Sequence, residues 1–373
     1  MDLSRKEFIK LTGLAVGSFS TGIDVGYCYQ KSGGAVLEYK IRQLDLVHTW
    51  TIARNSSDVK NNVFVKFEKD GVIGIGEAAP NVRYNETPES TAETIQKAIP
   101  LFEKTNPWHY VDLGYAIQDI VEEQTAAKCA LDIALIDWIT KKLNIPLYKF
   151  LGLDKTKTPL TTFSIGIDKP EIMQQKIKEA EKYPILKIKV GKENDREILE
   201  AVREVTDKPL RVDANEGWKI KEEALEKIKW LETMNVEFIE QPMPSTMLEE
   251  TRWLRDRVNI PIIADEAVKS ASDIPKLAYA YDGINIKLMK SGGIQEALRM
   301  IWMARSLGMK IMLGCMIESS VAISAAAHLS PLVDYADLDG NLLIANDPFK
   351  GSTVEKGKVI LPDGPGLGIT GTF

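Results

Sequence analysis

The residues of clearest chemical interest are three carboxylates and three lysines set along the chain at regular intervals. Asp213 closes the run Leu-Arg-Val-Asp at 210–213, Glu240 closes Val-Glu-Phe-Ile-Glu at 236–240, and Asp265 closes Ile-Ile-Ala-Asp at 262–265. Lys287 closes Ile-Asn-Ile-Lys at 284–287, while Lys187 and Lys189 punctuate Ile-Leu-Lys-Ile-Lys-Val at 185–190. Side chains two residues apart in a strand share a face, so Lys187 and Lys189 project together from an otherwise apolar strand. Carboxylates at consecutive strand ends can converge on one cation, and three hard oxygen ligands suit Mg²⁺ rather than zinc. Taken singly, Asp213 reads as a helix N-cap, Glu240 and Asp265 as loop charges, and the lysine pair as a solvated strand face. Their joint order and spacing make a site of them.

The elements that must position these residues follow from the same spacing. The apolar runs recur at roughly 25 residues with helix-patterned segments such as 222–234 and 293–307 between them. That is the repeat of a strand–helix barrel, in which the carboxyl ends of the strands gather on one face. Eight strands are expected at 161–165, 185–190, 210–213, 237–240, 261–265, 283–288, 310–314 and 335–339, with seven helices between them. Ahead of the barrel, strands are expected at 36–47, 62–67 and 72–76. The last two are joined by Lys-Asp-Gly at 69–71, where Asp-Gly supplies the positive φ of a tight hairpin. Helices follow at 88–99, behind a Thr87 N-cap and Pro88, at 110–121, and at 126–141, which Asn-Ile-Pro at 144–146 stops. The expected organisation is an N-terminal extension at 1–34, an α+β domain at 35–154, a barrel at 155–349 opened by a linker at 155–159, and a tail at 350–373 that returns to the first domain.

Composition narrows the function classes. The chain of 373 residues carries a formal net charge of −6, and an acidic balance without basic runs argues against nucleic acid. No segment is long and apolar enough to span a membrane. Cys28, Cys129 and Cys315 are few and widely spaced, which suggests neither a disulfide framework nor a zinc site. His48, His109 and His328 are scattered too far apart for a histidine-based metal site or triad. Ser-Arg-Lys-Glu-Phe-Ile-Lys at 4–10, with the weakly apolar stretch to residue 20, resembles a twin-arginine export leader with lysine as the second basic residue. The expectation is export to the periplasm, the alternative being a frayed helix on a cytoplasmic protein. A homo-oligomer is compatible with all of this.

The ordered motifs then reach a family. Leu-Lys-Ile-Lys-Val-Gly at 186–191, Val-Asp-Ala-Asn at 212–215, Ile-Glu-Gln-Pro at 239–242, Ala-Asp-Glu at 264–266 and Asn-Ile-Lys-Leu-Met-Lys-Ser-Gly-Gly at 285–293 resemble the muconate-lactonising branch of the enolase superfamily. So does 126–152, ending in Pro-Leu-Tyr-Lys-Phe-Leu-Gly. The resemblance runs from about residue 38 to the C-terminus. It implies an α/β fold, a (β/α)7β modified TIM barrel with an α+β capping domain, Mg²⁺ as cofactor, and chemistry that begins with removal of a proton next to a carboxylate.

Physical chemistry assigns roles within that resemblance. A proton α to a carboxylate is poorly acidic because the resulting enediolate is a dianion, and a divalent cation with a lysine base is one remedy; enolase-superfamily sites are an established example. The metal ligands implied are Asp213, Glu240 and Asp265. The base implied is Lys189, with Lys187 acting electrostatically beside it. Lys287, from the sixth strand, is expected to approach from the opposite side, so that one lysine takes a proton from one face and the other returns it to the other. Lys290 is the competing candidate but is expected to fall beyond the strand. The same lysine pair serves lyases and cycloisomerases, so the pair alone does not prove epimerisation.

Asp337 and Asp339, in Asp-Leu-Asp at the eighth strand end, resemble the Asp-x-Asp of dipeptide epimerases, which holds a substrate α-ammonium. Thr-Trp-Thr-Ile-Ala-Arg at 49–54 occupies the place of a first specificity loop, and its Arg54, otherwise a surface arginine, matches the arginine that binds a glutamate side chain in L-Ala-D/L-Glu epimerases, where a bidentate contact selects an acidic residue. A second loop at 78–84 contributes Arg83 and Tyr84, and Glu318 and the residues after Gly314, near the seventh strand end, are expected to line the same pocket. The function expected is Mg²⁺-dependent epimerisation of the C-terminal residue of a dipeptide, L-Ala-D/L-Glu from cell-wall peptides. The alternatives are other hydrophobic or broad dipeptides, o-succinylbenzoate synthase or N-acylamino-acid racemase activity, and a non-catalytic binding protein.

Overall fold

The computed structural model describes residues 25–27, 34–53 and 55–373. The leader-like segment at 4–20, Cys28 and Arg54 lie outside the described residues. An antiparallel sheet comes first, in the order β1 (Val25–Tyr27), β2 (Val36–Thr51), β3 (Ser56–Lys69) and β4 (Val72–Ala78). Asp70 and Gly71, at the turn into β4, have φ of 51° and 72°, which is why Asp-Gly stands there. β2 runs past residue 47, where the sequence pattern ends it. It stays paired with β3 through Trp50–Ser57 and Thr51–Ser56 after a register irregularity beyond Asp45. Residues 49–51, expected in a loop, are therefore the end of a long hairpin strand. Side-chain bonds across the hairpin hold it, from Thr49 to Asp58 at 2.6 Å and between Thr51 and Ser56 at 2.9 Å.

The helices of this domain join it to the barrel. Pro88–Lys104 opens on a reciprocal cap: the Ser90 amide donates to Thr87 Oγ1 at 3.2 Å, and the Thr87 amide to Ser90 Oγ at 3.0 Å. It continues beyond residue 99, through Pro100, because Phe102 packs edge-on to Phe67 with ring centroids 5.0 Å apart. That burial offsets the amide that Pro100 cannot donate. Tyr110–Gln118 stops short of residue 121. Thr125–Lys142 is buried along nearly its whole length. A Cβ on Gly74 would lie 2.0 Å from Ala134 O, and one on Gly76 would lie 1.9 Å from Ala130 O, so only glycine lets β4 lie so close to this helix. Asp132, on the same helix, accepts bonds from the Ile294 amide (2.6 Å) and Gln295 Nε2 (2.7 Å). A cap-domain carboxylate thereby caps the barrel helix Ile294–Ser306.

The barrel is a ring of eight parallel strands: β5 (Phe163–Ile165), β6 (Leu186–Lys189), β7 (Leu210–Asp213), β8 (Val236–Glu240), β9 (Ile262–Ala264), β10 (Gly283–Lys287), β11 (Lys310–Gly314) and β12 (Tyr335–Asp337). A parallel bridge between Thr161 and Ala336 closes it. Each of the seven connections carries a helix, from Pro170–Glu179 to Ser320–Ala327. Five strands, β5, β6, β9, β10 and β12, are shorter than predicted, and two of the differences bear on the site. Thr161 contributes only the closing bridge, and β12 stops at Asp337, leaving Asp339 to lead into the 3-10 turn Gly340–Leu343. After β12 the tail returns: Phe349–Lys350 pairs with Thr370–Gly371, the Leu147 amide donates to Gly366 O at 2.9 Å, and the Leu367 amide donates to Asp137 Oδ1 at 2.9 Å. No helix of the described residues is long and apolar enough to cross a membrane.

Candidate active site

A pocket opens at the carboxyl ends of the barrel strands, beneath the β2–β3 hairpin. Its floor carries Lys187, Lys189, Asp265, Lys287, Asp337 and Asp339, and its upper wall carries Trp50, Ile52, Lys60 and Tyr84. Around the ring, β6 and β10 stand four strands apart in a barrel of eight, and so do β8 and β12. Lys189 and Lys287 therefore approach the centre across one diameter. Glu240 and Asp337 come from strands facing each other across the other.

The triad is a buried cluster whose ligand atoms lie within 4.8 Å of one another. Lys189 Nζ is 2.5 Å from Asp213 Oδ2, Lys287 Nζ is 2.8 Å from Asp265 Oδ2, and Lys187 Nζ is 2.7 Å from Glu240 Oε2. Lys290, set in the single turn Leu288–Ser291, is buried and does not line the pocket. Its ammonium binds Asp265 Oδ1 at 2.5 Å, as well as the Asp265 and Asn285 carbonyls. Asn285 Nδ2 donates to Glu240 Oε1 at 2.7 Å. Asn215, Glu216 and Gln241 take positive φ (44°, 66° and 36°), so the chain turns sharply off β7 and β8 just past their carboxylates.

Burial opposes ionisation of all three carboxylates. At Asp213 the Lys189 and Lys187 ammonium groups outweigh it, and at Asp265 Lys287 and Lys290 do, holding both below the usual carboxylate range. Glu240 instead is pushed up to about 7, by burial and then by Asp213. Its Oε2 has no aligned hydrogen-bond donor, although the Lys187 ammonium lies close. A buried, oxygen-only cluster with one under-compensated carboxylate fits a hard divalent cation.

Opposite lies the second acidic pair. Asp337 Oδ2 receives Lys187 Nζ at 2.7 Å, and Asp337 Oδ1 accepts from Ser164 Oγ at 3.1 Å and from the Thr162 hydroxyl. The Ser164 amide donates to Asp339 Oδ2 at 2.6 Å. Lys187 overcomes burial to hold Asp337 low, whereas burial and then Asp337 push Asp339 up to about 7. This pair carries more negative charge than its surroundings cancel, the setting for a bound cationic group.

Some expected residues stand elsewhere. Glu318 does not line the pocket: it is buried behind the wall, accepts the Met316 amide at 2.7 Å, and is pushed up to about 8 by burial. Cys315, Met316 and Ile317, the other residues expected there after Gly314, do form the wall. Arg83 lies at the rim but is held by Glu216, with Nε and Nη2 each bonding at 3.1 Å. The sequence reading missed Thr162 and Ser164, which position Asp337 and Asp339, and Asn285, which positions Glu240. Only their alternation with apolar neighbours hinted that they face inward. It missed Lys60 as well.

Two family models cover most of the chain. "Mandelate racemase / muconate lactonizing enzyme, N-terminal domain" matches residues 39–152, and "Enolase C-terminal domain-like" matches 172–372. The L-Ala-D/L-Glu epimerase of Bacteroides thetaiotaomicron is 42% identical over 98% of this chain and 99% of its own. The structure of a dipeptide epimerase from Cytophaga hutchinsonii with Mg and D-Ala-L-Val superposes with a TM-score of 0.86 at 30% identity, over 90% of this chain and 95% of that one. A substrate-liganded complex of the L-Ala-D/L-Glu epimerase from Bacillus subtilis does so with a TM-score of 0.86 at 30% identity, over 90% and 98%.

Proposed function

Since this chain belongs to the mandelate racemase/muconate lactonizing enzyme family of the enolase superfamily, we propose that it is a Mg²⁺-dependent dipeptide epimerase acting on L-Ala-D/L-Glu. One observation carries the reading: Lys189 and Lys287 end strands on opposite sides of one pocket, with the carboxylate triad between them on one arc and Asp337 and Asp339 on the other. A dipeptide matches this cross. Its α-ammonium goes to Asp337 and Asp339, and its carboxylate points toward the triad and Lys187.

The α-carbon of the C-terminal residue then lies between the two lysines. For one diastereomer Lys189 Nζ removes the α-proton and Lys287 Nζ delivers a proton to the other face; for the second diastereomer the roles reverse. Bound to Asp213, Glu240 and Asp265, Mg²⁺ supplies stabilisation of the negative charge that deprotonation places on the carboxylate oxygens. Lys187 Nζ adds a fixed positive charge from the pocket floor. Arg54 is assigned to the side-chain carboxylate of the substrate on its motif.

Incubating the protein with L-Ala-L-Glu and Mg²⁺ in D₂O tests this. Deuterium should enter the α-position of the glutamate residue as L-Ala-D-Glu accumulates. Absence of exchange across a panel of dipeptides overturns the proposal. A second reading, epimerisation of hydrophobic dipeptides, is favoured by the apolar wall of Trp50, Ile52, Met316 and Leu343. Faster turnover of L-Ala-L-Leu than of L-Ala-L-Glu would select it. Delivery to the periplasm through the leader-like segment belongs to the same proposal, since cell-wall peptides are released there. A reporter fused behind residues 1–34 that stays in the cytoplasm removes that part.

A further inference from the structure

Five cations of the described residues line the pocket: Lys60, Arg83, Lys187, Lys189 and Lys287. Four have a carboxylate in contact. Lys187 pairs with Asp337 and Glu240, Lys189 with Asp213, Lys287 with Asp265, and Arg83 with Glu216. Lys60 differs, for among the described residues no carboxylate pairs with its ammonium. Burial lowers its pKa with no nearby carboxylate acting to raise it.

Its place in the fold aims it at bound substrate. Lys60 sits on β3, the returning strand of the hairpin over the barrel mouth, in register with Leu44. Two residues further on, and hence on the same face of the strand, Asn62 Nδ2 reaches Ile317 O at 3.2 Å. Lys60 thus lines the pocket that holds Lys189 and Lys287, on the strand face that Asn62 turns toward the wall following β11.

An ammonium drawn partly out of water without a counter-charge is unfavourable, and an arriving anion offsets that cost. On the dipeptide reading, from which this inference proceeds, the main-chain carboxylate belongs to the triad and the α-ammonium to the aspartate pair. A substrate side chain is the remaining source of negative charge. We infer that Lys60 is a specificity-determining residue, whose ammonium takes the side-chain carboxylate of an acidic C-terminal residue.

The experiment compares L-Ala-L-Glu with its neutral isostere L-Ala-L-Gln in wild type, Lys60→Met and Lys60→Arg. Methionine keeps the length of the apolar stem and removes the charge; arginine keeps the charge. The Glu-over-Gln ratio of kcat/KM should fall at least tenfold in Lys60→Met, mainly through KM for the glutamate dipeptide, and should remain near wild type in Lys60→Arg. Lys60→Glu should shift preference toward L-Ala-L-Lys. A ratio in Lys60→Met within twofold of wild type, or an equal loss on both substrates, overturns the inference while leaving the dipeptide reading intact. Failure of the wild type to exchange the α-proton of either dipeptide overturns that reading, and this inference with it.

Discussion

Lys189 and Lys287 are expected to act as separate bases rather than as one unit. Changing either to alanine should lower epimerisation by roughly 10²–10⁴-fold, the usual contribution of a positioned acid or base, with the fold intact. Each variant should still exchange the α-proton of one diastereomer in D₂O, with opposite preferences in Lys189→Ala and Lys287→Ala; full activity in either contradicts the assignment. Asp339 carries a pH prediction. Burial and Asp337 raise it to about 7, so below that pH it is largely neutral and a poor partner for an ammonium. KM at saturating Mg²⁺ should therefore fall as pH rises through 7, whereas Asp339→Asn should raise KM and remove that dependence. A wild-type KM independent of pH between 6 and 8 would contradict this. At this scale the residues readable in sequence were those that end apolar runs: a charged residue closing a buried strand is conspicuous. Thr162, Ser164 and Asn285 were not, because a polar residue between apolar ones looks the same whether it faces water or holds a carboxylate from another strand.

At the scale of elements, periodicity located all eight barrel strands but not their ends. Asp337 and Asp339 read as one strand face, yet the strand stops between them, because Asp339 is held by the Ser164 amide rather than by a strand partner. The hairpin was underestimated for a related reason: Thr49 and Thr51 flank Trp50 with polar side chains, and cross-strand bonding to Asp58 and Ser56 keeps the segment extended. His328, expected only as a scattered histidine, fastens three elements. The Tyr148 amide donates to its Nδ1 at 3.2 Å, its Nε2 lies 3.2 Å from Leu367 O, and its ring stacks on Tyr148. These bonds require the neutral ring, and burial lowers its pKa from 6.5 to about 4. The unfolded chain therefore binds the extra proton first as pH falls. Its contribution is fully present above pH 6.5 and is lost between there and about 4, a difference on the order of 3 kcal/mol. Denaturant melts should show stability dropping across that window, and His328→Gln, if it folds, should show a shallower drop; equal slopes would exclude His328 as the cause.

For the whole molecule, the cation should stabilise as well as activate. The triad draws its ligands from β7, β8 and the end of β9, so a bound ion links neighbouring strands, and any ligand of the native state alone raises its stability. Mg²⁺ at about 100 times its Kd should raise the melting midpoint by roughly 3 °C, and chelation should reverse both this and activity. Glu240→Gln should lose the shift; a midpoint indifferent to Mg²⁺ in the wild type would count against the triad as the ion's site. The tail's return to the helices before the barrel was legible in the sequence. Its partners, Asp137, Ile145 and Leu147, were not, since nothing local marks a backbone amide that will be met by a segment more than two hundred residues away.

That returning tail also governs what happens if the chain is cut. The turn Lys155–Lys157 is exposed and offers trypsin two lysines, yet the tail bonds to the domain on the far side of the cut, and Lys40 Nζ reaches Phe373 O at 3.2 Å. A single nick there should give two bands on a denaturing gel and one undivided species on a native column, a clasped molecule rather than two liberated halves.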